Sequence, residues 1–321
     1  MEEKVLISRK LPEKFVQQIE NLAKVKMWDS ELEPMPRAQF LEEAKDATIV
    51  ITTLSEKIDE IFFEAAPNVK GVVNLAVGFD NIDLELAHEK KVIVTNTPEV
   101  LTETTAELGF SLMLTAARRI VEAVEYVQDG EWKSWGPYLL AGQDVHGSTV
   151  GIYGMGAIGE AFARRLLGFN CKVLYHNRSR KEEAEQRLNV EYRSFEELLE
   201  ESDFVVCTAP LTPETKGIFN KDAFEKMKNS AILINIGRGP HIVENDLVDA
   251  INNNEILGAA LDVVEKEPIA NDHPFLKMDQ VIVVPHIGSS SLKTRNKMVQ
   301  LCVDNTIQII KGDEPLTPVK I

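Results

Sequence analysis

Short apolar runs of strand length alternate with helix-spaced segments along almost the whole chain, and this alternation narrows the fold more than any other feature. In the first hundred residues the runs are Val5-Leu6-Ile7, Ile49-Val50-Ile51, Val72-Val73-Asn74-Leu75 and Val92-Ile93-Val94. Between them, residues 13–23, 37–44, 58–65 and 84–89 carry apolar side chains at helical spacing. The runs are continuously apolar rather than alternating, as strands buried on both faces are, and that implies parallel βα units. A second series follows, with strands expected at 149–153, 172–175, 204–207, 231–235, 258–261 and 281–284. The predicted class is α/β, with two doubly wound parallel-sheet domains.

Two segments join the series. Residues 99–125 contain no proline and one glycine, with an apolar stripe through Leu108, Leu112 and Val124. They read as one long helix, either a core helix or an oligomer interface, leading into the aromatic segment 132–138. Residues 291–310 read as a final helix with Leu292, Val299, Val303, Ile307 and Ile310 on one stripe. By order alone, that helix can return to the first domain, and the two crossings would then act as a hinge.

Composition excludes several classes. Over 321 residues the formal net charge is −16, which repels phosphate backbones and anionic lipids, so neither nucleic acid nor membrane is an expected partner. No apolar run reaches the 18 or so residues of a membrane span. The start Met-Glu-Glu-Lys lacks a basic and apolar leader, so a cytoplasmic location is expected. Cys171, Cys207 and Cys302 are odd in number and far apart, which suits neither a disulfide framework nor a zinc site, and no metal is expected.

The most specific local motif is Gly154-Met-Gly156-Ala-Ile-Gly159, placed between the strand 149–153 and a helix through Ala163 and Leu167. Gly154 permits a tight turn, Gly156 lets backbone N–H groups approach a pyrophosphate, and Gly159 lets helix and strand pack closely. The helix N-terminus adds a partial positive charge for the phosphates. At the end of the next strand, 18 positions past Gly159, an NAD site usually has an acidic residue for the ribose hydroxyls. Here the chain reads Asn177-Arg178-Ser179-Arg180-Lys181. An amide, a hydroxyl and guanidinium groups suit a 2′-phosphate, so NADP(H) is expected over NAD(H), with NAD(H) the second option.

Three further polar stations follow strands of the second series: Asn235-Ile-Gly-Arg238-Gly239, Asp262-Val-Val-Glu265-Lys-Glu267-Pro268 and Pro285-His286-Ile-Gly-Ser-Ser290. Reducing a 2-oxo acid needs a fixed cation for the carboxylate, a proton donor that titrates near neutrality, and a hydride source. Arg238 suits the first task through its bidentate fork, and His286 suits the second. Glu267 could hold the imidazole in one tautomer and stabilise the imidazolium form. The other histidines, His88, His146, His176, His241 and His273, read as structural or surface residues, with His241 closest to the arginine.

With these motifs and Pro210-Leu-Thr-Pro-Glu-Thr215, the chain resembles the D-isomer-specific 2-hydroxyacid dehydrogenases over essentially its full length. The resemblance implies a Rossmann cofactor domain, 99–286, inserted into a flavodoxin-like catalytic domain made of 1–98 and 287–321. It implies a homodimer built through the helix after the first crossing. Arg238, Glu267 and His286 are then the catalytic trio, and Asp262 holds the nicotinamide carboxamide. Further cofactor contacts are implied at Ala157, Ile158, Pro210, Thr215, Ile236, Gly237 and Gly288. Within the family, 53–59, 95–102 and 132–135 look most like glyoxylate/hydroxypyruvate reductases and 2-ketogluconate reductases. Leu54 and the amides of Val77 and Gly78 would then face the substrate, a small 2-oxo or 2-hydroxy acid, and the 135–139 segment would reach the partner's site. Two alternatives stand beside glyoxylate or hydroxypyruvate reduction: 2-ketogluconate reduction, and nucleotide-sensing binding of the corepressor kind. One departure is Pro240-His241-Ile-Val-Glu244, where the family commonly has small residues before Val-Asp-Glu. It leaves the shape behind Arg238 open.

Overall fold

The structure, a computed structural model, describes residues 2–320 and separates into two units, 2–101 with 290–320, and 102–289. Unit 1 runs through β1 (Lys4–Ile7), α1 (Glu13–Glu20), β2 (Lys24–Met27), α2 (Arg37–Ala44), β3 (Ile49–Thr52), α3 (Glu60–Ala65), β4 (Gly71–Asn74), α4 (Leu84–Glu89) and β5 (Ile93–Thr95). Its strands pair in parallel in the order β2-β1-β3-β4-β5, which is the flavodoxin-like order. All four residues of β3 and of β4 are buried, which is why they appear in the sequence as unbroken apolar runs. Asp59 and Asp83 start α3 and α4, their side chains accepting the N–H groups of Phe62 and Leu86.

β2 was not expected from the sequence. Its Lys-Val-Lys-Met pattern leaves alternate residues exposed on an edge strand, so it carries no buried-strand signal. The opposite edge, β5, is covered by the chain's end: Thr95 bridges Pro318, and Val319 N–H donates to Val94 O at 2.8 Å.

Unit 2 begins with α5 (Thr102–Ala117) and α6 (Ile120–Gln128), two helices where the sequence predicted one. The break lies at Arg119, which is left-handed (φ 51°) and whose guanidinium turns onto Glu122 at 2.8 Å. Neither proline nor glycine marks this break. It also divides the segment by burial. α5 is a core helix, with Ala106 and Met113 fully buried, whereas α6 buries no residue and exposes Ile120, Val121, Val124 and Val127.

The sheet of unit 2 follows: β6 (Thr149–Tyr153), α7 (Ala157–Leu166), β7 (Lys172–His176), α8 (Glu182–Leu188), β8 (Val190–Tyr192), α9 (Phe195–Glu201), β9 (Phe204–Cys207), α10 (Lys221–Lys226), β10 (Ile232–Asn235), α11 (Glu244–Asn252), β11 (Gly258–Leu261) and β12 (Val281–Val283). The order is β12-β11-β10-β9-β6-β7-β8, all parallel. The chain winds outward from β6 to β8, then restarts at β9 on the other side. The carboxyl ends of β6 and β9 therefore border a topological switch point, where ligands collect in such sheets. The seventh strand, β8, is three residues long with an exposed Glu191 at its centre, and it left no signal in the sequence.

α12 (Leu292–Lys311) belongs to unit 1 and buries Val299, Cys302, Val303 and Ile309. Leu292, expected on that stripe, is 87% exposed, because it lies in the first turn after the Ser291 cap, before the helix reaches the core. Among the described residues, no helix is long and apolar enough to cross a membrane, and no group of histidine, cysteine and acidic residues could hold a metal ion.

Candidate active site

The loop after β6 has the shape its glycines suggest. Gly154 is at φ 103°, and a Cβ there would stand 2.5 Å from the backbone N of Ala209. A Cβ on Gly159 would stand 2.3 Å from Gly154 O, so α7 can lie this close to the strand only with glycine there. Gly156 caps α7 and faces open space, leaving the first-turn amides at Ala157 and Ile158 accessible. That is the environment a dinucleotide pyrophosphate needs, and the residues present fit one.

The next strand delivers Asn177, Arg178 and Ser179 beside this loop. Asn177 Oδ1 accepts the Met155 N–H at 2.9 Å, which ties the glycine loop to the end of β7 and leaves the amide NH2 as a donor. Arg180 is committed elsewhere, in a bidentate pair with Glu185 at 2.8 and 2.7 Å, and Lys181 pairs with Glu160. Arg178 makes no ion pair among the described residues; the Thr212 hydroxyl chiefly holds the Glu214 carboxyl below its usual range, with a smaller pull from the charge of Arg178.

Around Arg238 the backbone is tightly organised. Asn235 spans the turn, its Oδ1 accepting from Gly237 N–H at 3.0 Å and its Nδ2 donating to Arg238 O at 2.9 Å. A Cβ on Gly239 would fall 1.9 Å from Val264 O, so the turn carrying Arg238 touches the loop that carries Glu267. His241, read from the sequence as a structural or surface residue close to the arginine, is fully buried. Its Nδ1 lies 3.1 Å from Arg238 N, and its Nε2 lies 3.2 Å from Pro210 O. Thr215 Oγ1 also donates to Pro210 O, at 2.8 Å.

The loop after β11 and the turn after β12 form one hydrogen-bonded body. Asp262 accepts the N–H groups of Ile287 at 2.6 Å and Gly288 at 2.8 Å, and its own carbonyl accepts His286 N–H at 3.0 Å. Burial pushes the Asp262 carboxyl above the usual range, while those amides and the nearby His286 pull the other way. His286 is left-handed at φ 51°, an unusual conformation for a residue with a Cβ and one found at functional sites. Its Nδ1 stands 2.7 Å from Glu267 Oε2, while Glu267 Oε1 accepts the Val264 N–H at 3.3 Å. A carboxylate, an imidazole and a guanidinium turn are thus carried on adjoining loops at one end of a single sheet.

Comparison with known proteins decides the family. The sequence model of the D-isomer specific 2-hydroxyacid dehydrogenase NAD-binding domain matches residues 110–288. The chain is 46% identical over 321 residues to the glyoxylate reductase of Pyrococcus horikoshii, covering 99% of this chain and 96% of the relative. This chain belongs to the D-isomer specific 2-hydroxyacid dehydrogenases. It is accordingly an NAD(P)-dependent oxidoreductase. The glyoxylate reductase of Korarchaeum cryptofilum is 43% identical, over 98% of this chain and 95% of its own length. Among solved structures, the NADPH-dependent glyoxylate/hydroxypyruvate reductase of Sinorhizobium meliloti, in complex with NADP and malonate, superposes with a TM-score of 0.87. It is 30% identical, with 99% of this chain and 97% of that one covered.

In this dehydrogenase the remaining expected substrate residues lie in unit 1, on loops at the carboxyl ends of β3 and β4. Ala76 O accepts Thr97 N–H at 2.9 Å and Val77 O accepts Asn96 Nδ2 at 2.8 Å. In a trans peptide the N–H points opposite its C=O, so the amides of Val77 and Gly78 point away from these anchors. Leu54 sits in a loop held by the buried Glu56, whose Oε2 accepts from Ser8 Oγ at 2.9 Å and from Thr53 N–H at 2.8 Å. Sequence reasoning missed the roles of Asn235, His241 and Glu56. The partners of Asn235 and His241 are backbone atoms, and those of Glu56 are chiefly the hydroxyls of Ser8, Thr52 and Thr53, so neither set leaves a trace in a residue pattern.

Proposed function

We propose that this dehydrogenase reduces glyoxylate, and hydroxypyruvate with it, to the corresponding 2-hydroxy acids and prefers NADPH. The observation that carries the reading is the 2.7 Å contact between Glu267 Oε2 and His286 Nδ1, on loops that adjoin the Arg238 turn. Glu267 anchors the imidazole by one nitrogen, so Nε2 can deliver a proton to the carbonyl oxygen. Arg238 binds the carboxylate and stabilises charge that develops on the oxygen, a contribution of about 3 kcal/mol for such preorganised donors. When bound, the reduced nicotinamide supplies the hydride. The carbonyl carbon gains the hydride and the oxygen the proton, and His286, left neutral, is reprotonated from solvent. The relatives named glyoxylate reductase support the substrate class.

In this reading Gly154 to Gly159, Pro210, Thr215, Ile236, Gly237, Asp262 and Gly288 are cofactor contacts. Leu54 and the Val77 and Gly78 amides are the substrate contacts that the family resemblance implies. Asn177, with its NH2 left to donate, Arg178 and Ser179 support the preference for a 2′-phosphate. The apolar exposed face of α6 supports a homodimer.

The test is to mix purified protein with NADPH or NADH and a panel of glyoxylate, hydroxypyruvate and 2-ketogluconate, following the reduced nicotinamide's absorbance. Fastest oxidation with NADPH and glyoxylate or hydroxypyruvate is expected. No oxidation with any 2-oxo acid overturns the proposal, and better use of NADH overturns the cofactor preference.

A further inference from the structure

His241 is fully buried with both ring nitrogens against backbone polar atoms. Nδ1 lies 3.1 Å from Arg238 N and 2.9 Å from Arg238 O, and Nε2 lies 3.2 Å from Pro210 O. Arg238 O and Pro210 O can both only accept, so the ring donates to one of them or, as imidazolium, to both, and a neutral ring protonated at Nε2 accepts the Arg238 N–H at Nδ1. The ring also fills the space beside Gly237, where a Cβ would meet Cε1 at 3.1 Å and Nδ1 at 3.2 Å. On its other side, His241 O accepts Phe219 N–H at 3.0 Å and Pro240 O accepts Gly217 N–H at 2.8 Å, which anchors the segment carrying the ring.

We infer that His241 is a positioning residue: a single buried ring sets both the backbone of Arg238 and the Pro210 loop. An arginine side chain magnifies any rotation of its backbone, and a misplacement of about 1 Å at a binding group can cost about 10²-fold in rate. Hydrophobic filling of the same volume would keep the packing and lose the directional contacts. The two halves of the ring serve two ligands, Nδ1 the substrate through Arg238 and Nε2 the cofactor through Pro210. The inference rests on the proposal above that Arg238 holds the substrate carboxylate and that Pro210 lies at the cofactor.

Two isosteric variants separate the halves. His241→Asn places an amide near the position of Nδ1, and His241→Gln places one near that of Nε2. Losing one such hydrogen bond changes an equilibrium about five- to tenfold. For His241→Asn, the dissociation constant of NADPH, read by fluorescence titration, should rise by about that factor while KM for glyoxylate stays within about twofold. For His241→Gln the pattern should be reversed. Equal losses in both variants, the opposite split, or no change in either constant would make His241 a packing residue and overturn the inference. In the unaltered protein, the 15N spectrum of the ring should show a slowly exchanging ring proton held against Arg238 O or Pro210 O, and rapid exchange at both nitrogens contradicts the geometry directly. Arg238→Gln serves as the control. An unchanged KM for glyoxylate in that variant removes the proposed role of Arg238, whatever the His241 variants do.

Discussion

Glu267 Oε2 stands 2.7 Å from Nδ1 of His286, and its other oxygen accepts the Val264 N–H, so the carboxylate ties the imidazole to the loop that touches the Arg238 turn. The pairing fixes the ring and its tautomer and leaves Nε2 directed elsewhere. Glu267→Gln keeps the shape and removes the charge. Turnover should fall about 10²-fold with the dissociation constant of NADPH unchanged, since a positioned acid–base group contributes at least that much. Steady-state kinetics alongside a cofactor titration checks it, and a variant that loses cofactor affinity in proportion to turnover contradicts the assignment.

Arg178 and Arg180 are two positions apart, yet only Arg180 is bound in a bidentate ion pair, with Glu185. Arg178→Gln should therefore weaken NADPH about tenfold, the scale of one charge-assisted phosphate contact, and leave NADH unchanged. Arg180→Gln should move both cofactors by less than about twofold, the guanidinium being already spent on Glu185. Measuring kcat/KM with each cofactor in each variant decides the assignment, and an equal response of the two arginines contradicts it.

Glu185 sits under that pair and also accepts from the Tyr175 hydroxyl at 2.7 Å, and the two contacts hold its carboxyl at about 2, below its ordinary 4.5. A carboxyl depressed in the folded state contributes stability above its unfolded value and loses it as pH falls from 4.5 towards 2. The stability gap between the natural protein and Glu185→Gln should be fullest near about pH 6 and shrink through that acid window. It should also narrow with salt, because Arg180 is exposed. Urea unfolding across pH measures it, and a gap constant down to the acid end contradicts the electrostatic account.

The exposed face of α6 carries Val124 and Val127, each about half exposed. For the homodimer proposed above, Val124→Asp combined with Val127→Asp should lower the sedimentation coefficient to that of a monomer in sedimentation velocity, since charge is depleted from the core of obligate interfaces. An unaltered sedimentation coefficient places the interface elsewhere.

The parallel α/β class was legible because β3, β4, β9 and β10 are buried on both faces and so read as continuous apolar runs. The edge strands β2 and β8 were not, since Lys24, Lys26 and Glu191 face solvent and interrupt any such run. The break between α5 and α6 was hidden because Arg119 is not a residue type that signals a left-handed backbone. At the site, Arg238, Glu267 and His286 could be picked out by chemical type behind apolar strands. The residues that shape it could not, because a lone His241 says nothing of a carbonyl 31 positions away at Pro210. Gly239 likewise gives no sign of Val264 O, against which it is pressed.

The proton delivered from His286 is the central claim. His286→Ala is the most direct test, read as single-turnover oxidation of bound NADPH by glyoxylate together with NADPH affinity by fluorescence titration. The rate should fall by about 10²- to 10⁴-fold, the contribution of a positioned general acid, with affinity within about twofold of the natural protein. Single-turnover rates that stay within about tenfold in a variant that still binds NADPH would place the proton donor on another residue.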